Sequence, residues 1–480
     1  MMKICLISEG AYPHVTGGVS SWIQSLITEM PEHEFIVYSI SAKEVKGSKP
    51  KYHIPENLVE LHEIHLGDYV DQKIVSGKRY NLTDAERLAF LSLMSERQTD
   101  WDILFQFFTS GRIDSVMNFL GSKDFFDIVS TLCEKRFVQV PFTDMFWALR
   151  SMLLPLFVCI DHKVPEADVY HSVSTGYAGV LGALAKYQYG KPLLLTEHGI
   201  YTREREEEII KASWIKGYFK DVWIDYFYSL SYCAYVYADD VSTLFEGNRE
   251  IQLELGCPPE KTFLVPNGID VSRFSPESRT TRPGVHIGAI LRVVPIKDVK
   301  TMLQAFAIVQ EKFAEAQFYL IGPLDEDEEY YEECLELVDM LGLKHVHFTG
   351  PANVQDYLSF LDILVLSSIS EGQPLVILEG LAMEIPFVST DVGACRELLE
   401  GPNDRFGKAG SVVPVMHFHL LAHEIIKLVE QPDVRQTYGE NGRARVANLY
   451  TLSMMIDAYR TYYEKGERHG RNRISIETTV

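Results

Sequence analysis

Ser370-Glu371-Gly372-Gln373-Pro374-Leu375-Val376-Ile377-Leu378-Glu379-Gly380 follows an apolar run, residues 363–366, of the kind that forms a strand buried on both faces. The strand passes into a loop bearing Glu371. Pro374 suits the first turn of a helix, where its missing N–H leaves nothing unpaired, and Glu379 then rides on that helix. At 1.5 Å per residue plus the loop, the two carboxyl groups stand on the order of 10 Å apart. A retaining carboxylate pair acting on one bond needs ~5 Å, so that chemistry is excluded. The spacing suits two acceptors gripping hydroxyls at opposite ends of an extended ligand such as a sugar nucleotide. It equally suits two acids favoured near a helix N-terminus by its dipole.

The pattern repeats around this stretch. Strands are expected at 286–291, 317–321, 346–348, 363–366, 387–389 and 410–413, with helices between them. The helix at 299–313 carries Val299, Met302, Leu303, Phe306 and Ala307 on one stripe. Upstream, residues 275–284 (SPESRTTRPG) are polar and rich in Pro, Gly and charge, as linkers are. Before them a second alternating series reads at 3–8, 35–40, 58–65, 168–171, 192–197, 240–245 and 262–265. Residues 82–160 lack strand signals and read as a helical insertion. Strands alternating with helices imply parallel sheets covered on both faces. The expected fold is therefore α/β, with two domains, 1–276 and 285–450, joined by a short linker and leaving a cleft between the carboxyl ends of their strands. The end of the chain, Lys465 to Arg473, is basic and expected to be a frayed tail.

Further candidates sit at the expected strand ends. Arg292 and Lys297, beside a helix N-terminus, form a natural diphosphate site or two surface cations. Gly17-Gly18, after the first strand, lets backbone N–H groups approach a phosphate, or makes a plain turn. It is not G-x-G-x-x-G, which argues against a nicotinamide site. His171 and His198 end two strands of the first sheet and are expected at its carboxyl edge, where an ordinary hydrogen-bonded loop histidine would also sit. Residues 325–329 (DEDEE) are expected to favour a helix N-terminus rather than hold a cation. His417, His419 and His423 stand in an apolar surround and are not expected to hold a metal.

The 480 residues exceed one ordinary core. Lys and Arg number 45 against 67 Asp and Glu, a net charge of −22, which speaks against non-specific nucleic-acid binding. Seven scattered Cys without C-x-x-C indicate neither a disulfide framework nor a zinc ribbon, and point to a reducing cytoplasm. The most apolar window, 145–160, contains Arg150 and Pro155 and is short for a spanning helix, so a buried or membrane-docking helix is expected.

Four motifs in order, Gly17-Gly18, Pro266-Asn267-Gly268-Ile269-Asp270, Arg292-x4-Lys297 and Glu371-x7-Glu379, resemble the retaining glycosyltransferases of family 4, which have the GT-B fold of two facing Rossmann-like domains; the resemblance implies a terminal helix at about 451–480 that packs back on the first domain. Within that family, Asp168-Val169-Tyr170-His171-Ser172 and Thr196-Glu197-His198-Gly199 are similar to the branch serving Pel-type exopolysaccharide synthesis. The resemblance implies transfer of a sugar from a UDP-sugar to a polysaccharide acceptor, with retention and without a metal or other cofactor. It implies that Arg292 and Lys297 hold the donor diphosphate and that Glu379 accepts from the ribose. It implies that Glu371, with Gly372, Pro374 and Leu375 after it, meets the donor sugar, and that Gly17 and Gly18 approach the phosphates. His171 and His198 would stand near the reacting sugar. An inner-membrane synthase complex is the implied partner. Two positions depart from many relatives: Val173 replaces a second His, and Gln373-Pro374 replace Phe or Gly. A transferase with a soluble acceptor, of the glycogen- or sucrose-synthase kind, and an inactive assembly subunit remain alternative readings.

Overall fold

A computed structural model describes residues 1–10, 12–15, 17–42, 49–69, 77–402 and 404–477, with side chains described to residue 466. The chain forms two compact units. The first comprises 1–243, 248–264 and 459–480; the second comprises 244–247 and 265–458.

The first unit contains β1 (Lys3–Glu9), α1 (Gly18–Glu29), β2 (Glu34–Ser41) and β3 (Leu58–His65). A helical stretch follows, with α2 (Asp84–Ser95), α3 (Trp101–Thr109), α4 (Val116–Leu120), α5 (Lys123–Lys135) and α6 (Phe142–Asp161). Then come β4 (Val169–Ser172), α7 (Tyr177–Tyr189), β5 (Leu193–Glu197), α8 (Tyr201–Lys211), α9 (Gly217–Tyr237), β6 (Asp240–Thr243), α10 (Glu246–Glu254) and β7 (Thr262–Leu264). The seven strands pair in parallel in the order β3-β2-β1-β4-β5-β6-β7. β4 and β5 are buried along their whole length, so the polar residues at their carboxyl ends, His171, Ser172, Thr196 and Glu197, must find hydrogen-bond partners inside the protein.

The helical insertion starts where expected, at the capping box Thr83/Glu86: each side chain bonds the other's backbone N–H. Its aromatic residues Phe90, Phe107, Phe119 and Phe157 join the same core as Tyr170 of β4 and Leu181 of α7. The insertion is thus a thickening of the first unit's core and not an appended domain. Among the described residues α6 is long and apolar enough to cross a membrane, but 56% of its most apolar window is buried in this unit.

The second unit contains β8 (His286–Ile290), α11 (Val299–Lys312), β9 (Gln317–Ile321), α12 (Glu328–Met340), β10 (Val346–Gly350), α13 (Val354–Leu358) and β11 (Ile363–Leu366). It continues with α14 (Leu375–Ala382), β12 (Phe387–Thr390), α15 (Cys395–Glu400), β13 (Gly410–Val413), α16 (Phe418–Glu430) and α17 (Pro432–Leu449). Its six strands are parallel in the order β10-β9-β8-β11-β12-β13.

Two expectations about the ends of the units need correction. The chain enters the second unit at residue 265, so the stretch 275–284, expected to be a linker, lies inside that unit. Its Arg279 explains why: the guanidinium donates to the carbonyls of Leu361 (2.8 Å), Glu384 (2.9 Å) and Met383 (3.3 Å). A polar, Pro-rich composition here marks a stretch that bonds to the unit's surface. The tail is helical: α18 (Leu452–Glu477) runs through the basic segment, and residues 478–480 lie outside the described residues. From Tyr459 on it belongs to the first unit, where Lys465 pairs with Asp240 at 2.9 Å and Tyr459 and Tyr463 are wholly buried.

Arg445 on α17 is fully buried and holds the second unit's periphery together. It donates to Asp404 at 2.5 and 3.1 Å and to the Leu398 carbonyl at 2.9 Å. Removing one partner of a buried ion pair strands the other charge, at a cost of about 3–5 kcal/mol. Arg445→Met should therefore lower the unfolding free energy of the chain by about that much, measured by urea titration, whereas exposed Arg405→Met should cost under about 1 kcal/mol.

Candidate functional site

In each sheet the strand order reverses direction once, between β1 and β4 and between β8 and β11. Loops leaving the carboxyl ends of such neighbours diverge and leave room for a ligand. In the second unit these loops carry Lys297 and Glu371. Pro295–Lys297 forms one tight 3-10 turn, and Asp298 (φ 45°) then caps α11, its carboxylate accepting from the Thr301 N–H. Asp tolerates this left-handed conformation better than most residues. Ser367, the first residue after β11, is wholly buried and donates to both the Lys297 and Asp298 carbonyls, at 2.9 and 2.8 Å. That bond fixes the backbone from which Lys297 reaches across.

Lys297 Nζ donates to Glu371 Oε1 at 2.6 Å, with the two side chains only 18% and 12% exposed. The Ser368 hydroxyl donates to the same oxygen. Behind the loop, Gly393 (φ 51°) lies so close to the Glu371 and Gly372 carbonyls that a side chain there would clash. The Ala394 N–H closes the contact on Gly372 at 2.9 Å. Pro374 is the cap of α14 and Leu375 its first residue. Glu379, one turn along α14, is pushed up to about 7 by burial, with Arg273 opposing the shift. Arg292 is not joined to this pair by a hydrogen bond; it is 55% exposed and donates to Glu326 at 2.8 Å. Within the DEDEE run the labour divides: Asp327 caps α12, as expected of that stretch, and Glu326 holds Arg292.

In the first unit the two histidines part company. His171 was expected at the carboxyl edge, but it is wholly buried. Its Nδ1 pairs with the Tyr463 hydroxyl at 2.7 Å and its Nε2 with the Thr196 hydroxyl at 2.8 Å. Burial pushes its pKa down to about 3, so the ring is neutral and both nitrogens are taken. The reason is tertiary: α18 lies against this face of the sheet, a contact between residues 292 positions apart. His198 lies past the end of β5, half-buried, with Trp22 edge-on to its ring at 4.7 Å. Burial lowers it to about 4, so it too is neutral, and its Nε2 has no partner among the described residues. Gly17 is extended (φ 176°), and its N–H donates to the Tyr52 hydroxyl at 3.4 Å. A side chain at Gly17 or Gly18 would meet nothing within 4 Å, so packing in this unit does not require glycine there.

Several residues of the site have no motif of their own. Ser367 and Ser368 were legible only by position, as the two residues that leave a fully buried strand. Glu9 ends β1 in the place that Leu291 takes after β8; its carboxylate accepts from the Ala178 N–H at the start of α7 (3.1 Å) and from Ser174 (3.4 Å). Glu197, just before His198, is buried and accepts from Tyr235 (2.7 Å), Gln252 (2.8 Å) and Thr175 (3.2 Å). His417 caps α16 through the Leu420 N–H.

Comparison with known proteins agrees with this layout. Residues 2–260 match the family described as a domain of unknown function (DUF3492), and residues 284–431 match glycosyl transferases group 1. Among curated proteins, the capsular polysaccharide biosynthesis glycosyltransferase CapM of Staphylococcus aureus is 24% identical over 66% of this chain and 81% of its own length. The MMP alpha-(1->4)-mannosyltransferase of Mycolicibacterium hassiacum is 24% identical over 62% of this chain and 71% of its own. Among solved structures, sucrose-phosphate synthase from Thermosynechococcus elongatus superposes with a TM-score of 0.62 at 16% identity, over 97% of this chain and 99% of that one. HepE of Anabaena, in complex with UDP and glucose, superposes with a TM-score of 0.60 at 15% identity, over 97% and 100%. These likenesses establish the fold as GT-B, with two Rossmann-like domains.

Glu197 offers a test of the site's electrostatics. Burial raises its carboxyl to about 7, ahead of the opposing bonds from Tyr235 and Gln252. An acid whose pKa is raised on folding contributes stability that is complete below its unfolded value, near 4.5, and lost as pH rises through 7. A shift of that size corresponds to about 3 kcal/mol. Between pH 4.5 and 7.5 the unfolding free energy of Glu197→Gln should therefore gain on the native protein by roughly that amount, read from paired denaturation curves; parallel curves would contradict it.

Proposed function

We propose that this chain, which belongs to the DUF3492 family and is a group 1 glycosyltransferase, moves a hexosyl or N-acetylhexosaminyl unit from a UDP-sugar to a growing polysaccharide with retention of configuration. The observation that carries this reading is the Lys297–Glu371 pair at the β8/β11 reversal, with Glu379 one helix turn further on. Charge grows on the diphosphate as the sugar leaves. Lys297, held by Ser367 through its own backbone, supplies a fixed positive charge where that growth occurs, so it acts chiefly in the transition state. Arg292 reaches the diphosphate by exchanging Glu326 for phosphate, a low-cost exchange for a half-exposed surface pair. Glu371 takes the sugar hydroxyls and Glu379 the ribose. Cations on the leaving group remove the need for a metal. His198, neutral and with Nε2 unpartnered among the described residues, is the group of the first unit able to hydrogen-bond a substrate hydroxyl; His171 is a buried support and not a catalytic group. Gly17 and Gly18, which packing does not require, serve the approach of a phosphate.

The motifs at 168–172, 174–179 and 196–199 resemble PelF, the cytoplasmic glycosyltransferase of Pel exopolysaccharide synthesis. We therefore assign the chain to that pathway, in the cytoplasm, peripheral to an inner-membrane synthase and export complex. The burial of α6 supports a peripheral rather than a spanning association.

Steady-state kinetics with the nucleotide sugar that most raises the melting temperature tests the assignment; a ligand at 100 times its Kd adds ~2.7 kcal/mol. A charge-assisted hydrogen bond is worth ~1.5–3 kcal/mol, so Lys297→Ala and Glu371→Ala should each lower kcat by about 10- to 100-fold. Because the two are bonded to each other, the double variant should lose less than the product of the single losses. Glu379→Ala should raise donor KM more than it lowers kcat, since no charge develops at the ribose. Activity should survive EDTA. No stabilisation by any UDP-sugar, or loss of activity in EDTA with rescue by Mn²⁺, would overturn the corresponding part of this assignment.

A further inference from the structure

The loop of Glu371 is tied to a distant stretch of chain by a bond that neither the donor site nor the core requires. Gln373 is 7% exposed, and its Oε1 accepts the main-chain N–H of Asn267 at 2.6 Å, 106 positions away. Pro374 excludes helical backbone at residue 373, which keeps this side chain outside α14. Asn267 is the third residue of the second unit after the chain enters it at 265. The same entry segment is bonded to the segment through which the chain leaves. The Ile269 N–H donates to the Tyr450 carbonyl at 3.0 Å, and the Leu452 N–H donates to the Ile269 carbonyl at 2.8 Å. Gly268 lies so close to the Thr451 carbonyl that no side chain fits between them. The entry and exit segments are therefore one hydrogen-bonded pair, and the Gln373 amide joins that pair to the loop that carries Glu371.

We infer that Gln373 is a positioning residue for Glu371: it sets the Glu371 loop against the paired entry and exit segments, so the carboxylate is held in place for the donor sugar only while those segments are seated. The role of Glu371 rests on the function proposed above; the tie itself does not. Without the Gln373 carbonyl, the Asn267 N–H loses its partner, and the loop keeps its bonds to Ser368, Lys297 and Ala394 but, among the described residues, no other hydrogen bond to the entry segment.

Gln373→Met keeps the length and removes the acceptor; Gln373→Glu keeps an acceptor oxygen. Hydrogen exchange of the ligand-free protein reads the tie directly. In Gln373→Met, peptides covering 265–269 and 369–376 should exchange faster together, and in Gln373→Glu both should return toward native rates. Kinetics reads the consequence: Gln373→Met should lower kcat for transfer by about 5- to 100-fold, the range expected for stranding a buried donor. UDP, which lacks the sugar that Glu371 holds, should bind with its Kd unchanged within about twofold. Unchanged exchange in either peptide would overturn the tie. An unchanged kcat, or UDP affinity falling in step with kcat, would overturn the positioning role, the second by showing a general loss of the unit. If the native protein neither binds nor turns over any UDP-sugar, the proposed function fails, and the exchange experiment alone still decides whether Gln373 holds the loop.

Discussion

The 2.6 Å contact between Lys297 Nζ and Glu371 Oε1 is the constraint around which the second unit is arranged. Two charges so little exposed are tolerable only as a pair with further hydrogen bonds. Each partner sits on a loop, and a loop places a charge well only when its backbone is fixed from outside. Ser367 does this for Lys297; for Glu371 the Ala394 N–H does it by donating to the Gly372 carbonyl, with Gly393 packed close behind, while Ser368 orients the carboxylate itself. The strands that supply both loops are neighbours because the sheet reverses its order between them. The topology thus brings the residues together, and the two serines leaving β11 align them.

The first unit has the same strand order and uses its reversal point differently. Where the second unit presents a cation and an acid to whatever binds, the first has Glu9 turned inward, onto the amide at the start of α7. A helix N-terminus suits an anion, and here the protein's own carboxylate fills it. One architecture therefore leaves one reversal point furnished with a reachable ion pair and the other closed by an internal hydrogen bond. His198, beyond the next strand, is one of the titratable groups of this unit with a buried atom that has no partner among the described residues. Burial keeps it neutral, so it can hydrogen-bond to a ligand without carrying charge.

The two α/β series were legible because they are written in periodicity; the GT-B arrangement was implied only by the family resemblance. Apolar runs of four to eight residues recurred between helical stripes, and strands such as 58–65, 317–321, 363–366 and 410–413 were found within the same residues in the structure. The limits of the units were less legible. Composition marked 275–284 as a linker, yet Arg279 bonds three carbonyls of the second unit, and a hydrogen bond to a distant carbonyl leaves no trace in local composition.

What the sequence determined by itself was the class of fold, the insertion, and the residue types at each strand end, because these depend on neighbours within about ten positions. Local spacing placed Lys297 and Glu371 at loop ends and Glu379 on a helix. Tertiary structure decided which of these meet and in what state. It joined Lys297 to Glu371 across 74 positions, gave Arg292 to Glu326, and set His171 beneath Tyr463, while His198 Nε2 has no partner among the described residues. Burial and pairing depend on chain segments from 34 to 292 positions apart. Two histidines that look alike at the ends of two strands differ in chemistry because one helix, from the far end of the chain, covers one of them.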